Sequence, residues 1–525
     1  MTLRYQLVLL ALLLTIALLA ACITVPTAPA ATLPPETASP TTKPTEAAAP
    51  VLNDQGEQRV DALLAQMTLA EKIGQMTQVE KNSIKRGDIT KYFIGSLLSG
   101  GGGYPSPNTG AAWAKMVDGF QQEALATRLA IPLIYGVDAV HGHNNVYGAT
   151  IFPHNIGLGA TRDADLVRRI GEATALEMAA TGIPWNFAPV VAVPQDIRWG
   201  RTYEGYSENI DLVSTLGVAF IKGLQSGAGQ PMLATPKHFI GDGGTAWGTS
   251  QASGGKLDQG DTPMDEAALR TRFLPPYQAA IAAGAQSIMV SFSSWNGTKL
   301  HAHRYLLTDV IKGELGFQGF LISDWQAIDQ IPGDYAADVA TAINAGLDMI
   351  MVPYDYRRFI TTLTTAVETG TVPQERIDDA VRRILRVKVA LGLFEHPYAD
   401  PSLIDQVGSA AHRALAREAV RKSLVLLKNE NQSLPLAKET PLIFVAGAAA
   451  NDIGIQSGGW TIEWQGKTGK ITAGTTIVAG IQAAVGATTR VEYSAAGNFA
   501  KLVDAQGQPL QADVGIAVVG ERPYA

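Results

Sequence analysis

An acidic side chain beside a tryptophan closes residues 319–325 (GFLISDW). The apolar run before them, bounded by a glycine on one side and polar residues on the other, has the length of a buried strand. Asp324 and Trp325 therefore fall where that strand ends. In parallel α/β barrels the strand ends face the active site, while the strand bodies fill the core. A carboxylate there can attack or stabilise an anomeric carbon, and an indole offers a flat apolar face to a sugar ring. An Asp at that spot can equally cap the next helix, so the pair decides nothing by itself. Other polar groups stand in similar places: Asp138 in GVDAVH (136–141), Arg201 in RWGR (198–201), and Lys237 and His238 in KHFIGD (237–242). Trp464 in GGWTIEW (458–464) and Glu521 in GE (520–521) come from near the end of the sequence. Neutral sugars are held by many oriented donors and acceptors around one ring. Forked charges beside aromatic faces are the groups such a site needs.

What must position these groups is an alternation of short apolar strands with amphipathic helices. Strand-like runs stand at 131–137, 185–193, 232–235, 286–292, 319–323 and 347–352. Helical patterns stand at 61–78, 163–181, 212–225, 266–283, 305–313, 336–345, 359–369 and 377–391. Alternation sustained this long predicts a parallel sheet, and at this length a (β/α)8-type barrel, though fewer than eight strands are individually legible. A polar connector leads to a helix over 410–428 and a second α/β pattern. That pattern has strands at 441–446 and 514–519 and a helix at 476–485. The expected organisation is a catalytic barrel over 56–395, a linker over 396–409 and an α/β sandwich over 410–525. The sandwich stops soon after a core strand and reads as incomplete.

Residues 1–22 have the form of an export signal, with Arg4 ahead of an apolar run over 7–19. They end in LAAC, which resembles a lipobox and makes Cys22 the expected lipid attachment. Cys22 is the only cysteine, so no disulfide can form within the chain. Residues 23–55 are rich in Thr, Pro, Ala and Glu, too polar to fold, and read as a disordered tether. No other stretch is long and apolar enough to span a bilayer. The expected location is the cell envelope, the periplasm or outside the cell, with membrane contact only through the anchor. The 41 Lys and Arg against 48 Asp and Glu give a modest net charge of −7, and no basic footprint for nucleic acid. No cofactor is implied. The pair His141 and His143 lacks a third metal ligand nearby in sequence. Glycines 100–103 lack the Lys-Ser/Thr of a phosphate loop and read as a flexible loop.

At the strings that carry these groups the chain resembles glycoside hydrolase family 3, in particular plant-type β-glucan exohydrolases and related bacterial β-glucosidases. The resemblance runs from about residue 131 to residue 525, through GVDAVHGHNNVYGATIFPHNIGLGATRD, KHFIGDGGT, SSWNG, ISDW, GGWTIEWQG and VVGERPYA. It implies a (β/α)8-type barrel followed by an α/β sandwich, with the site between them. It implies a retaining exo-β-glucosidase that releases glucose from non-reducing ends of β-glucosides and β-gluco-oligosaccharides. By the same resemblance Asp324 is the nucleophile and Glu521 the acid/base. Asp138, Arg201, Lys237 and His238 would hold the non-reducing glucosyl unit, and Trp325 and Trp464 would clamp the next sugar. Retention needs the two carboxyl groups about 5–5.5 Å apart, one ionised and one protonated. Arg201, Lys237 and His238, read as neighbouring cations, are expected to keep Asp324 ionised. Three positions depart from the pattern: Phe292 where many members have Tyr, Gln251 where plant relatives have an acid, and Gln330 where they have Arg. The family also holds β-xylosidases and β-N-acetylhexosaminidases. The latter typically carry KHFPGHG where this chain has KHFIGD, which favours the glucosidase. An alternative of another class is a catalytically impaired sugar-binding lipoprotein.

Overall fold

The computed structural model describes residues 52–226, 231–250 and 256–525. Cys22, residues 23–51 of the expected tether and Gln251 lie outside the described residues. The last residues of the tether, expected to be disordered up to 55, already cap and begin the helix Asp54–Gln66, where Asn53 accepts from the Gly56 N–H. Strands follow in the order β1 (Thr77–Glu80), β2 (Ser96–Ser99), β3 (Ile134–Val137), β4 (Trp185–Asn186), β5 (Leu233–Ala234), β6 (Asp261–Thr262) and β7 (Ser287–Met289). Then come β8 (Ser294–Trp295), β9 (Thr298–Lys299), β10 (Phe320–Ile322) and β11 (Ile350–Met351). A curled, all-parallel sheet runs β11-β1-β2-β3-β4-β5, and β10 pairs with β7 alongside it. Single parallel bridges, Phe239 to Val290 and Ile322 to Met349, link the two arcs at both ends. β6, β8 and β9 make a small outlying ribbon.

The strands are short and buried on both faces because helices cover the sheet. Ala164–Ala179, Ile210–Ser226 and Gln374–Ala390 are among the covering helices. The first two starts are written locally: Asp163 accepts from the Leu166 N–H and Asn209 from the Leu212 N–H, each satisfying an orphan donor of the first turn.

Several expected elements take a different form. The helix expected over 61–78 is two helices, Asp54–Gln66 and Leu69–Gln75, followed by β1. Thr68 and Glu71 form a capping box that restarts the chain there. β1 and β2 (TQVE and SLLS) are buried strands that carry polar residues. Gln78 Nε2 donates to Ser96 Oγ at 2.9 Å, and Ser96 Oγ donates to the Ile134 carbonyl at 2.8 Å. Such sequences lack an apolar run, so periodicity does not reveal them. The helix over 266–283 breaks at Pro275 into Glu266–Phe273 and Pro275–Ala282. The helix over 410–428 stops at Ser423, and Leu424 to Leu427 run on exposed. That helix packs on the helix Ala164–Ala179 through Arg169–Glu418 and His412–Glu177.

A second, smaller parallel sheet places β12 (Leu442–Ala446) between β13 (Arg490–Ser494) and β14 (Val514–Ala517). Its core is small: Ile443, Val445, Ala450 and Val478. The run 514–519, expected as a core strand, is half-buried with alternating exposure, and Val519 is 92% exposed.

Candidate active site

A cavity of about 880 Å³ opens at the strand ends of the curled sheet. Asp138 follows β3, His238 and Lys237 follow β5, and Asp324 and Trp325 follow β10; all line it. Arg201 reaches it from the turn Gly200–Glu204. The far wall comes from Trp460, Glu463 and Trp464, in the loop after β12. Every residue expected in the site is gathered here except Glu521. That residue is exposed, accepts from the Tyr524 hydroxyl at 2.9 Å, and does not line the cavity. The nearby Ala525 does line it, tied to Gln465 by two hydrogen bonds of 3.1 Å.

Asp324 has two unlike oxygens. Oδ1 accepts from the Trp325 N–H at 2.7 Å. Oδ2 is buried with no hydrogen-bond partner among the described residues, and His238 Nε2 stands 3.6 Å away. The peptide N–H of Asp324 donates to His301 Nε2 at 3.1 Å, which fixes the backbone under the carboxylate. Burial pushes the Asp324 carboxyl up to about 6, although Arg201 and Lys237 pull the other way. The expectation that neighbouring cations dominate is corrected here, because a carboxylate this buried loses more hydration than those charges return.

His238 is not one of those cations. Burial, with Arg201 and Lys237 adding to it, holds its imidazole well below the ordinary value, hence neutral. Arg201 Nη2 stands 3.2 Å from His238 Nε2, and guanidinium can only donate, so Nε2 accepts. The proton then sits on Nδ1, which donates to Asp242 Oδ2 at 2.8 Å. Burial raises the Asp242 carboxyl to about 7.

Arg201 is itself held by a carboxylate that carries no obvious sequence signal. Glu204, 2% exposed, accepts from Arg201 Nε and Nη2, both at 2.9 Å. Glu204 Oε1 also accepts from Trp460 Nε1 at 3.1 Å. Trp460 sits under the Lys237 ammonium at 5.4 Å from its ring centre, and Lys237 Nζ donates to Asp138 Oδ1. Trp460 lies within the same GGWTIEW string as Trp464; the string marks the loop but not which indole goes deep.

The loop bearing these indoles is held in a costly backbone. Trp460 (φ +63°) and Ile462 (φ +64°) are left-handed, which is rare for bulky and β-branched residues. Asn144 holds both: its side chain donates to the Trp460 carbonyl and its carbonyl accepts from the Ile462 N–H, each at 2.8 Å. His141 stacks on His154 at 3.9 Å and its Nε2 meets Thr461 Oγ1 at 3.2 Å, while His143 bonds Thr181. Among the described residues no three such groups could hold a metal ion. Of the departures from the family pattern, Phe292 and Gln330 both line the cavity. Gln330 bridges Lys299 and Gln259 at 2.9 Å each. Glycines 100–103, expected as a flexible loop, are part of the cavity wall.

A strand-end carboxylate with one free oxygen, in a cavity completed by a second α/β sheet, defines a two-domain α/β protein with a shared site. The glycosyl hydrolase family 3 N terminal domain matches residues 68–387, and the glycosyl hydrolase family 3 C-terminal domain matches residues 424–525. The chain belongs to glycosyl hydrolase family 3. It is similar to a lysosomal β-glucosidase of Dictyostelium discoideum, 34% identical over 89% of this chain and 61% of the relative. A periplasmic β-glucosidase of Salmonella typhimurium is 33% identical over 88% of this chain and 62% of its own. Among solved structures, the exo-1,3/1,4-β-glucanase of a Pseudoalteromonas species superposes with a TM-score of 0.82 at 42% identity, covering 92% of this chain and 60% of its own. The chain thus spans about three-fifths of the length of the curated relatives it matches.

Proposed function

We propose that this protein is a retaining, exo-acting β-glucosidase that releases glucose from non-reducing ends of β-glucosides and β-gluco-oligosaccharides. The observation that carries this is the buried, unpartnered Oδ2 of Asp324, a residue that lines a cavity shared with Asp138, Arg201, Lys237, Trp325 and Trp464. Asp324 is assigned as nucleophile. Asp138, Lys237, Arg201 and the neutral His238 hold the hydroxyls of the terminal glucosyl unit. Trp325 and Trp464 flank the next sugar. The two linked arcs of parallel strands are read as one (β/α)8-type barrel. The periplasmic relative supports export. Glu521 is assigned as acid/base, and this role requires the segment after β14 to turn Glu521 from solvent toward the cavity that Ala525 already lines.

The test is an aryl β-glucoside assay in which the first sugar released is identified by NMR. β-Glucose is expected, since two displacements at one carbon restore its configuration; α-glucose as first product would refute the retaining assignment. A second reading, a sugar-binding protein of little catalytic power, is favoured by the exposed position of Glu521. It is separated by the same assay, because it predicts binding of glucose without turnover.

The pH dependence follows from Asp324. Attack needs the carboxylate, and with the carboxyl raised to about 6 it is ionised above that pH and protonated below. kcat/KM should therefore fall on the acid side with a midpoint near that value, since this ratio reports the free enzyme. A profile flat down to the ordinary carboxylate range, near pH 4, would contradict the role of burial.

A further inference from the structure

We propose that glycines 100–103 set the subsite for the second sugar of a β-linked disaccharide, by seating the two indoles that flank it. This rests on the reading of the cavity as a sugar site. The four residues follow β2 and face four different groups of the cavity wall. A methyl on Gly100 would lie 3.0 Å from Cζ3 and Cη2 of the Trp325 ring. One on Gly101 would overlap the Trp464 backbone and stand 2.7 Å from its Cβ. One on Gly102 would be 2.6 Å from Glu463 Oε2, and one on Gly103 would be 3.0 Å from Glu80 Oε1. The Gly102 N–H donates to the Ile462 carbonyl at 3.0 Å, so this turn is bonded to the strained loop that carries Trp464.

Adjacent glycines thus hold adjacent walls: Gly100 bears on the Trp325 ring, and Gly101 bears on the backbone of Trp464. No side chain intervenes on this strap, so the gap between the indoles is set by bare backbone. The two methyls act differently. At position 100 the neighbour is the far end of a side chain, which can swing. At position 101 it is backbone already held by the strained 460–462 turn, so the whole of Trp464 must move. In the proposed function the glucosyl unit is held by Asp138, Lys237, Arg201 and His238, whereas the next ring is flanked by both indoles. Placement errors of about 1 Å are enough to cost large factors in such a subsite.

The experiment compares the intact chain with Gly100→Ala, Gly101→Ala and, as a control, Gly119→Ala, whose new methyl would meet nothing within 4 Å. Binding of glucose and of cellobiose is measured by calorimetry, and kcat/KM for cellobiose and an aryl β-glucoside alongside. The cellobiose-to-glucose affinity ratio should fall about tenfold or more in Gly101→Ala and by a smaller factor in Gly100→Ala. It should keep its starting value in Gly119→Ala. Ratios within about twofold of the parent in both loop variants would overturn the proposal. If circular dichroism shows that Gly101→Ala does not fold, the ratio in Gly100→Ala decides alone. A parent chain that binds both sugars but turns over neither refutes the glucosidase and leaves this test standing. One that binds neither refutes both.

Discussion

Asp324→Ala should lower turnover of an aryl β-glucoside by about 10⁴-fold or more, the scale seen when a covalent nucleophile is removed. The fold should survive. Oδ2 has no hydrogen-bond partner to lose, and Oδ1 releases only the Trp325 N–H. The backbone at this point is held separately, by His301 and by the β10 pairing. Added azide should recover part of the turnover and yield an α-glucosyl azide, because the small anion enters the space on the face the carboxylate vacates. Near-parental turnover in Asp324→Ala would end the assignment of the whole site. A collapse of the thermal unfolding transition would instead mean that the residue is structural.

A second large effect is expected at Glu204, which touches no substrate in this reading. Its carboxylate is buried, yet Arg201 and Lys237 more than offset that burial and keep it ionised. It is the only shared partner of Arg201 and Trp460 among the described residues. Glu204→Leu would leave the Arg201 guanidinium buried without its fork and free the Trp460 indole. Breaking one half of a buried pair costs about 3–5 kcal/mol, so the denaturant midpoint should drop clearly. Activity toward every β-glucoside should drop with it, since Arg201 then loses its orientation. Glu204→Gln, which keeps one acceptor oxygen, should lie between the two. An unchanged midpoint in Glu204→Leu would show that the pair is not held as described.

The strand-end rule was enough to place Asp138, Lys237, Asp324 and Trp325 from the sequence, because each follows an apolar run that had to be buried. The rule fails where strands hide polar side chains. β1 and β2 carry Gln78, Glu80, Ser96 and Ser99 in the core and offer no apolar run. Protonation was legible only as a list of neighbours. The cations beside Asp324 can be read from the sequence, but the depth of burial that outweighs them cannot. The same depth makes His238 neutral, and only the donor from Arg201 fixes which nitrogen carries its proton. Glu204 and Asp242 were missed although Arg201 stands three residues from the first and His238 four from the second. Spacing does not tell a buried pair from a surface one, and only folding brings Trp460 to Glu204. The role of Glu521 rests on resemblance alone, and the exposed position it takes could not be foreseen from its string.

The hold of Asn144 on Trp460 and Ile462 bears on how such proteins can diverge. The left-handed turns at 460 and 462 cost about 1–3 kcal/mol each, and the residue that compensates them belongs to the other domain. A second domain transplanted from a relative would bring its own indole loop without the counterpart that bends it. Recombination between members of the family should therefore succeed at this seam only when position 144 and the 458–466 loop are inherited together.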